Sequence, residues 1–110
     1  VTIHSIDYLI LATQDCTRAI VNFCLNYGGK AEIIDACKAI IKEIDSKTLC
    51  AQDIDEIVFA RHLYADLPPI DLLIRTSGEL HISNFMLWQN AYSEMYFTDV
   101  LFPDFDMDLD

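Results

Sequence analysis

Positive charge is scarce in this chain. Its 110 residues include seven Lys and Arg against 18 Asp and Glu, which gives a formal net charge of −11 at pH 7. A chain this acidic, with no basic run, repels the phosphate backbone of nucleic acids and the anionic surface of a membrane. The composition therefore argues against nucleic-acid binding. A phosphate-bearing small molecule remains possible where local donors or a metal ion supply the attraction.

Other absences narrow the class of protein. The four cysteines form no C-x-x-C pair and do not cluster with histidines, so we expect reduced, mostly buried thiols in a cytosolic protein. No signal peptide is visible and no apolar run approaches ~18 residues, so no membrane-spanning helix is predicted. Repeats and linkers are also missing, which indicates one domain at most. The hydrophobic fraction of 53% is high for this length and fits a piece of a larger core.

Hydrophobic patterning predicts an α/β fold. Short runs rich in β-branched and aromatic residues are typical of strands, and apolar residues every three or four positions are typical of helices. The order strand, helix, helix, strand, helix, strand favours a largely parallel sheet covered by helices. The predicted strands are residues 18–25, 70–74 and 95–98, and the predicted helices are residues 31–47, residues 53–64 and a stretch that begins at Ser83.

The clearest helix prediction is residues 31–47. Glu32 and Asp35 lie in its early turns and Lys42 and Lys47 in its later turns, the order that complements the helix macrodipole. Its apolar side chains form one stripe, which we expect to face the core. The stripe consists of Ile33, Ile34, Cys37, Ile40, Ile41 and Ile44.

A glycine pair precedes this helix. Gly28 and Gly29 could cradle a phosphate at the helix start, but the other residues of a P-loop are missing. The pattern therefore favours a tight turn between strand and helix.

The candidate site begins where the strand predicted at residues 70–74 ends. That strand is predicted to be buried on both faces, and Arg75 follows it directly. Because ligands of parallel sheets bind beyond the carboxyl ends of the strands, Arg75 is placed to meet an anion. Ser83 is predicted to cap the next helix and to add its hydroxyl to the free N–H groups there. Three aromatic residues at helical spacing after that cap are expected in the core: Phe85, Trp88 and Tyr92.

Arg75 is the main candidate for binding an anion because cationic side chains are scarce in its half of the chain. It is the only Lys or Arg after Arg61, among nine Asp and Glu. A phosphate bound here would depend on Arg75, helix N–H groups, His81 and a metal ion. Glu94 is the carboxylate best placed to hold that metal.

Each of these side chains also has a structural interpretation. Arg75 could pair only with Asp71 or Glu79. Glu94 could be a solvated carboxylate at a helix end. His81 could be a surface side chain without a ligand. The residues alone leave these alternatives open.

Longer motifs surround the candidate residues. They are N-Y-G-G-K at residues 26–30, R-T-S-G-E at 75–79, I-S-N-F at 82–85, L-W-Q at 87–89 and F-P-D-F at 102–105. Together they resemble the C-terminal half of the cis-prenyltransferases, the undecaprenyl diphosphate synthase family, over residues 13–106. The resemblance implies a homodimeric, Mg²⁺-dependent enzyme that condenses isopentenyl diphosphate with an allylic diphosphate.

The resemblance also implies roles for individual residues. Arg75 and Ser83 would bind the diphosphate of isopentenyl diphosphate, and Glu94 would reach Mg²⁺ across the subunit interface. The family has a second diphosphate-binding arginine where this chain has His81. Histidine is only partly cationic at neutral pH and cannot fork onto two phosphate oxygens. Losing one charged hydrogen bond costs ~1.5–3 kcal/mol, so we expect binding weakened roughly ten- to a hundredfold but retained.

The family's D-G-N-x-R segment, which carries the catalytic aspartate and holds the allylic diphosphate, does not occur in this sequence. We therefore expect residues 1–110 to be the C-terminal part of a single cis-prenyltransferase domain, an incomplete portion of that fold. The parent protein is expected to be the enzyme, and this chain alone is expected to be inactive.

Two functions are carried forward. The first is the C-terminal portion of an active cis-prenyltransferase that supplies the isopentenyl diphosphate and Mg²⁺ site, in a cytoplasmic protein with at most peripheral membrane contact through its lipid product. The alternative is a non-catalytic subunit or degenerate homologue that stabilises a catalytic partner, which His81 and the missing segment would favour.

Overall fold

The computed structural model describes residues 2–106, which form helices and a small parallel sheet. Within these residues no helix is both long and apolar enough to cross a bilayer. The regular elements are helices α1 (Ile3–Thr13), α2 (Gly29–Asp45) and α3 (Glu56–Arg61), strands β1 (Leu72–Arg75) and β2 (Glu94–Phe97), and 3₁₀ turns at Ala51–Asp53 and Phe102–Asp104.

The two strands pair in parallel, which confirms the predicted α/β class. Leu72 lies opposite Glu94 and Arg75 lies opposite Phe97. Both strands fall within two residues of their predicted positions. Burial on both faces of β1 was a wrong prediction. Leu73 is buried, but Leu72 is 54% exposed, because no element of the described chain covers its side of the sheet.

Helix α2 begins two residues before its predicted start and ends at Asp45. Its buried residues are Gly29, Glu32, Ala36 and Ile40. The predicted apolar stripe is therefore misplaced: of its six members only Ile40 is buried, and Ile34 and Ile41 are more than half exposed. The buried face of α2 carries small and polar residues because Gly29 and Glu32 contact residues of the 83–92 turns there.

Residues 18–25 do not form the predicted strand. They are irregular and exposed throughout, and the three large apolar side chains Ile20, Val21 and Phe23 are each more than 70% exposed. A strand requires hydrogen bonds from a neighbour, and no other described segment pairs with this one. The composition is typical of a strand, but the partner that would make it one is not among the described residues.

The predicted helix after Ser83 is also wrong. Residues 83–92 form consecutive turns, and Ser83, Asn84 and Met86 have φ angles of 49°, 62° and 47°. These angles lie in the left-handed region, which interrupts a right-handed helix. The aromatic residues expected in its core lie further out: Phe85 is half-buried, Trp88 is 38% exposed and Tyr92 is 96% exposed.

Two smaller corrections concern α3 and the cysteines. The helix predicted at residues 53–64 is shorter, because the Asp55 carboxylate accepts the Val58 backbone N–H at 2.8 Å and sets its start. The thiols expected to be mostly buried are exposed, all four of them free. They are Cys16, Cys24, Cys37 and Cys50.

The buried apolar core is small, and its members come from α2, the residues after α3, β1 and the 83–92 turns. Phe59 of α3 packs against Trp88 with ring centroids 4.4 Å apart, which joins α3 to the same turns. The buried apolar residues are Ala36, Ile40, Leu63, Leu73 and Met86.

Candidate functional site

The loop after β1 folds back over the carboxyl ends of both strands. The Thr98 N–H donates to the Arg75 carbonyl at 3.0 Å, and the Gly78 N–H donates to the Thr98 carbonyl at 2.9 Å. The turn requires positive φ, 69° at Ser77 and 71° at Gly78. The carboxyl end of the sheet, where a ligand of a parallel sheet is expected, is therefore formed by Arg75 and this loop.

Arg75 has no charged partner among residues 2–106. Its Nε atom is buried without a hydrogen-bond partner, and neither Asp71 nor Glu79 forms an ion pair with it. The purely structural interpretation, pairing with one of these two carboxylates, does not hold. A buried donor without an acceptor costs free energy, so the Nε–H of Arg75 is a donor that these residues leave open at the carboxyl end of β1.

His81 joins two other polar side chains of the same loop. Its Nε2 lies 2.8 Å from the Glu79 carboxylate and its Nδ1 lies 2.6 Å from the Ser83 hydroxyl. His81 lies at a bend and the backbone of Ser83 is left-handed, so strand-like alternation does not explain this cluster. The sequence carried no signal that would have brought the three side chains together. All three are exposed to solvent.

Ser83 therefore does not cap a helix. Its hydroxyl contacts His81, and its own backbone is left-handed. The hydroxyl remains next to His81, so two of the predicted substrate-binding residues lie side by side.

Asn84, the next residue, caps α2 from a distance of more than fifty positions. Its backbone carbonyl accepts the Gly29 N–H at 2.7 Å, and its side-chain Oδ1 accepts the Lys30 N–H at 2.9 Å. These are two of the free donors at the helix start. The α2 N-terminus is thus occupied by protein, which answers the phosphate-cradle alternative for Gly28 and Gly29.

The close approach of Asn84 is what requires a glycine at position 29. A Cβ there would lie 2.9 Å from the Asn84 carbonyl oxygen and 2.9 Å from Cγ of Leu87. The glycine pair is therefore not simply a turn: Gly29 lets the start of α2 pack directly against the turns that present Ser83.

A buried carboxylate holds the same turns from the other side. Glu32 of α2 is 3% exposed, accepts Gln89 Nε2 at 3.0 Å and the Tyr64 backbone N–H at 3.0 Å, and accepts the Tyr27 hydroxyl. Burial, and after it the hydrogen bond to Glu32, raises the pKa of Tyr27 well above its usual range. The sequence indicated only that Glu32 suits the start of a helix; its partners lie up to 57 positions away.

A cavity of about 230 Å³ lies beside this network. The irregular residues 22–27 form one wall, and Glu32, Tyr64 and Gln89 contribute to the others. None of the four predicted site residues lines it. His81, Ser83 and Glu94 are exposed to solvent instead, and Arg75 is half-buried.

Glu94 lies at the opposite end of the sheet from Arg75. It begins β2 and pairs with Leu72, whereas Arg75 pairs with Phe97. At ~3.3 Å per residue the two are ~10 Å apart along the strands. Within one chain Glu94 and Arg75 thus lie at different ends of the sheet, and the role of Glu94 as a Mg²⁺ ligand across a subunit interface stays a prediction.

Residues 2–106 contain no group of three or more His, Cys, Asp or Glu that could together hold a metal ion. Glu94 is exposed and offers one carboxylate. Mg²⁺ usually keeps several waters and takes one or two carboxylates together with substrate phosphates. Glu94 fits as a single ligand of such an ion, and not as part of a complete metal centre.

The sequence profile of the family described as "Putative undecaprenyl diphosphate synthase" matches residues 2–109. Among curated proteins, an isoprenyl transferase of Streptococcus thermophilus is 49% identical over 110 residues, which cover 96% of this chain and 44% of that protein. A ditrans,polycis-undecaprenyl-diphosphate synthase of Vibrio cholerae, described as (2E,6E)-farnesyl-diphosphate specific, is 55% identical over 95 residues, which cover 86% and 38%. The chain thus spans less than half the length of these relatives.

Solved structures agree with the sequence comparison. Lavandulyl diphosphate synthase from Lavandula x intermedia, in complex with dimethylallyl diphosphate, superposes with a TM-score of 0.85 at 38% identity, over 93% of this chain and 44% of that one. A probable undecaprenyl diphosphate synthase from Campylobacter jejuni gives a TM-score of 0.75 at 32% identity, over 94% and 46%. On this evidence the chain belongs to the undecaprenyl diphosphate synthase family, the cis-prenyltransferases.

Proposed function

We propose that residues 1–110 form the C-terminal part of a cis-prenyltransferase domain that condenses isopentenyl diphosphate with an allylic diphosphate. The observation that carries the proposal is Arg75, a cation at the carboxyl end of β1 whose buried Nε has no partner. The comparisons support it, because this chain spans less than half the length of relatives named as prenyl transferases.

In this proposal the diphosphate of isopentenyl diphosphate lies across the loop at the carboxyl end of the sheet. Arg75 supplies the fixed positive charge and the unused donors. The hydroxyl of Ser83 and the ring of His81 supply further contacts, since they already lie within 2.6 Å of each other. These groups hold the attacking double bond in position and do not themselves make or break a bond.

We assign Glu94 to the Mg²⁺ site of a second copy. Its place at the far end of the sheet leaves it too distant to share a ligand with Arg75 of the same chain, and a homodimer would bring it to the partner's diphosphate. Bound Mg²⁺ would offset the negative charge of the diphosphates. The remaining contacts to the diphosphate would come from Arg75, Ser83 and His81.

The protein is proposed to act in the cytoplasm, with peripheral membrane contact through the polyprenyl product. The second candidate, a non-catalytic subunit, is favoured by His81, which stands where the family has arginine. Arg75 argues against it, because a subunit that binds no diphosphate has no need of a half-buried arginine whose Nε lacks a hydrogen-bond partner.

The test supplies the N-terminal half of a relative, fused or added in trans, and measures transfer of labelled isopentenyl diphosphate to an allylic primer. The chain alone is expected to be inactive and the completed protein active. Arg75→Ala should weaken isopentenyl diphosphate binding about ten- to a hundredfold, the cost of one charged hydrogen bond.

The matched control is Arg61→Ala, which removes an exposed arginine at the end of α3 and should leave affinity within about twofold. A completed protein that transfers no prenyl group but activates a catalytic partner would replace the first proposal with the second. Equal affinities for the two variants would remove Arg75 from the site.

A further inference from the structure

Residues 82–85 form a four-residue turn with an uncommon backbone. The Phe85 N–H donates to the Ile82 carbonyl at 3.0 Å, and the two central residues, Ser83 and Asn84, have φ angles of 49° and 62°. Positive φ at both central positions is the pattern of a type I′ turn, in which glycine, asparagine and aspartate dominate. Asparagine suits such a position, whereas a positive φ at Ser83 costs free energy.

Contacts outside the turn hold it in this conformation. The Asn84 carbonyl accepts the Gly29 N–H at 2.7 Å, and Oδ1 of Asn84 accepts the Lys30 N–H at 2.9 Å. The Asn84 side chain is exposed, but Gly29 is buried, and a Cβ there would lie 2.9 Å from the Asn84 carbonyl oxygen. The turn is therefore fixed on two adjacent donors at the start of α2.

Ser83 depends on this anchor because its own contacts do not reach α2. Its hydroxyl lies 2.6 Å from Nδ1 of His81, an exposed residue of the same loop. Among the described residues, the hydrogen bonds between the 82–85 turn and α2 all involve Asn84. A strained backbone persists only where its surroundings determine it, and for Ser83 those surroundings are the turn and the two bonds of Asn84.

We propose that Asn84 is a positioning residue that anchors the 82–85 turn on the start of α2 and so holds the Ser83 hydroxyl in place for the diphosphate. This rests on the function proposed above and deepens it, because Asn84 acts through Ser83 and not by contact with the substrate. Without the anchor, Ser83 relaxes to a negative φ, which turns its hydroxyl away from His81. Diphosphate binding then weakens although the hydroxyl is still present.

The experiment is a double-mutant cycle on the completed protein, measured as affinity for inorganic diphosphate. Ser83→Ala is expected to weaken binding about tenfold, the effect of one hydrogen bond to a charged group, and Asn84→Ala about three- to tenfold. Adding Asn84→Ala to Ser83→Ala should cost no more than about twofold, since the hydroxyl is already absent. Adding it to Arg75→Ala should cost its full effect, because Arg75 belongs to β1.

The matched control is Asn22→Ala, which removes an exposed asparagine whose amide nitrogen lies 3.9 Å from the Cys24 sulfur. Its affinity for diphosphate should stay within about twofold of the original.

Conservative variants separate positioning from a general loss of the fold. Asn84→Asp keeps an acceptor for the Lys30 N–H and tolerates a left-handed backbone, so its urea midpoint should match that of the original protein, whereas Asn84→Ala should unfold at lower urea. Asn84→Gly adopts a φ of 62° without strain and lacks the side-chain acceptor. It repeats the cycle if Asn84→Ala does not fold.

Two results would overturn the inference: undiminished affinity when Asn84 is replaced by alanine or glycine, or the same loss with and without the Ser83 hydroxyl. If Arg75→Ala and Ser83→Ala both bind diphosphate as well as the original protein, the proposed function fails instead. The two failures are therefore distinguishable.

Discussion

Replacing Gly29 by alanine tests the contact between α2 and the turns that present Ser83. The new Cβ would lie 2.9 Å from the carbonyl oxygen of Asn84, a backbone atom, and 2.9 Å from Cγ of Leu87. The carbonyl cannot withdraw freely, because it accepts the Gly29 N–H at 2.7 Å. Either the alanine Cβ stays in steric overlap with Asn84 and Leu87, or the hydrogen bonds from Asn84 to the start of α2 break.

Both outcomes lower the free energy of unfolding by a similar amount. Overpacking in a well-packed region costs ~1–3 kcal/mol, and two lost hydrogen bonds cost ~1 kcal/mol each. Alanine gains up to ~1 kcal/mol over glycine in a helix interior and less at its first residue. We therefore expect Gly29→Ala to lower the free energy of unfolding by about 1–3 kcal/mol.

Gly28→Ala is the matched control. Its Cβ would meet only the side-chain Nδ2 of Asn84, at 3.1 Å, and its backbone at φ −143° and ψ 127° is open to any residue. Urea unfolding of the purified protein should place this variant within ~0.5 kcal/mol of the original. Diphosphate affinity should fall in Gly29→Ala alone, because Asn84 adjoins Ser83. Equal stabilities of the two variants would refute the reasoning.

Three further predictions follow from contacts of α2 and from exposed surface. The pKa of His62 is raised by its hydrogen bond to the Val58 carbonyl and then by Glu43. Protonated His62 therefore stabilises the fold fully below about pH 6.5, and this stabilisation is lost as pH rises through the raised pKa. His62→Gln should abolish this pH dependence of the free energy of unfolding. Glu32→Ala should destabilise by about 2–4 kcal/mol, since it leaves three donors unpaired, and Glu32→Gln by less; equal losses would contradict this. Expressed alone, the chain should self-associate, and light scattering that shows a stable monomer would argue otherwise.

The sequence was most informative where structure depends on neighbours in the chain. The strands and α2 follow from local patterning, and the position of Arg75 follows from the end of β1. The 83–92 turns could not be predicted, because their left-handed residues depend on Asn84 reaching the start of α2, 54 positions away. Residues 18–25 failed for a related reason: a strand-like composition forms a strand only beside another strand.

The local contacts of this chain are formed, whereas much of its apolar surface is not covered. Its radius of gyration is 17.3 Å, against about 13 Å for a compact domain of ~100 residues, and large apolar side chains of α2 and of residues 18–25 face solvent. The contacts around Arg75, His81 and Ser83 are nevertheless formed within residues 70–100, with support from the start of α2. The loop proposed to bind diphosphate is therefore expected to be largely in place before the rest of the core is covered. On the proposed function, we therefore expect binding of inorganic diphosphate to need only the residues of this chain, and prenyl transfer to need the additional length that its relatives have.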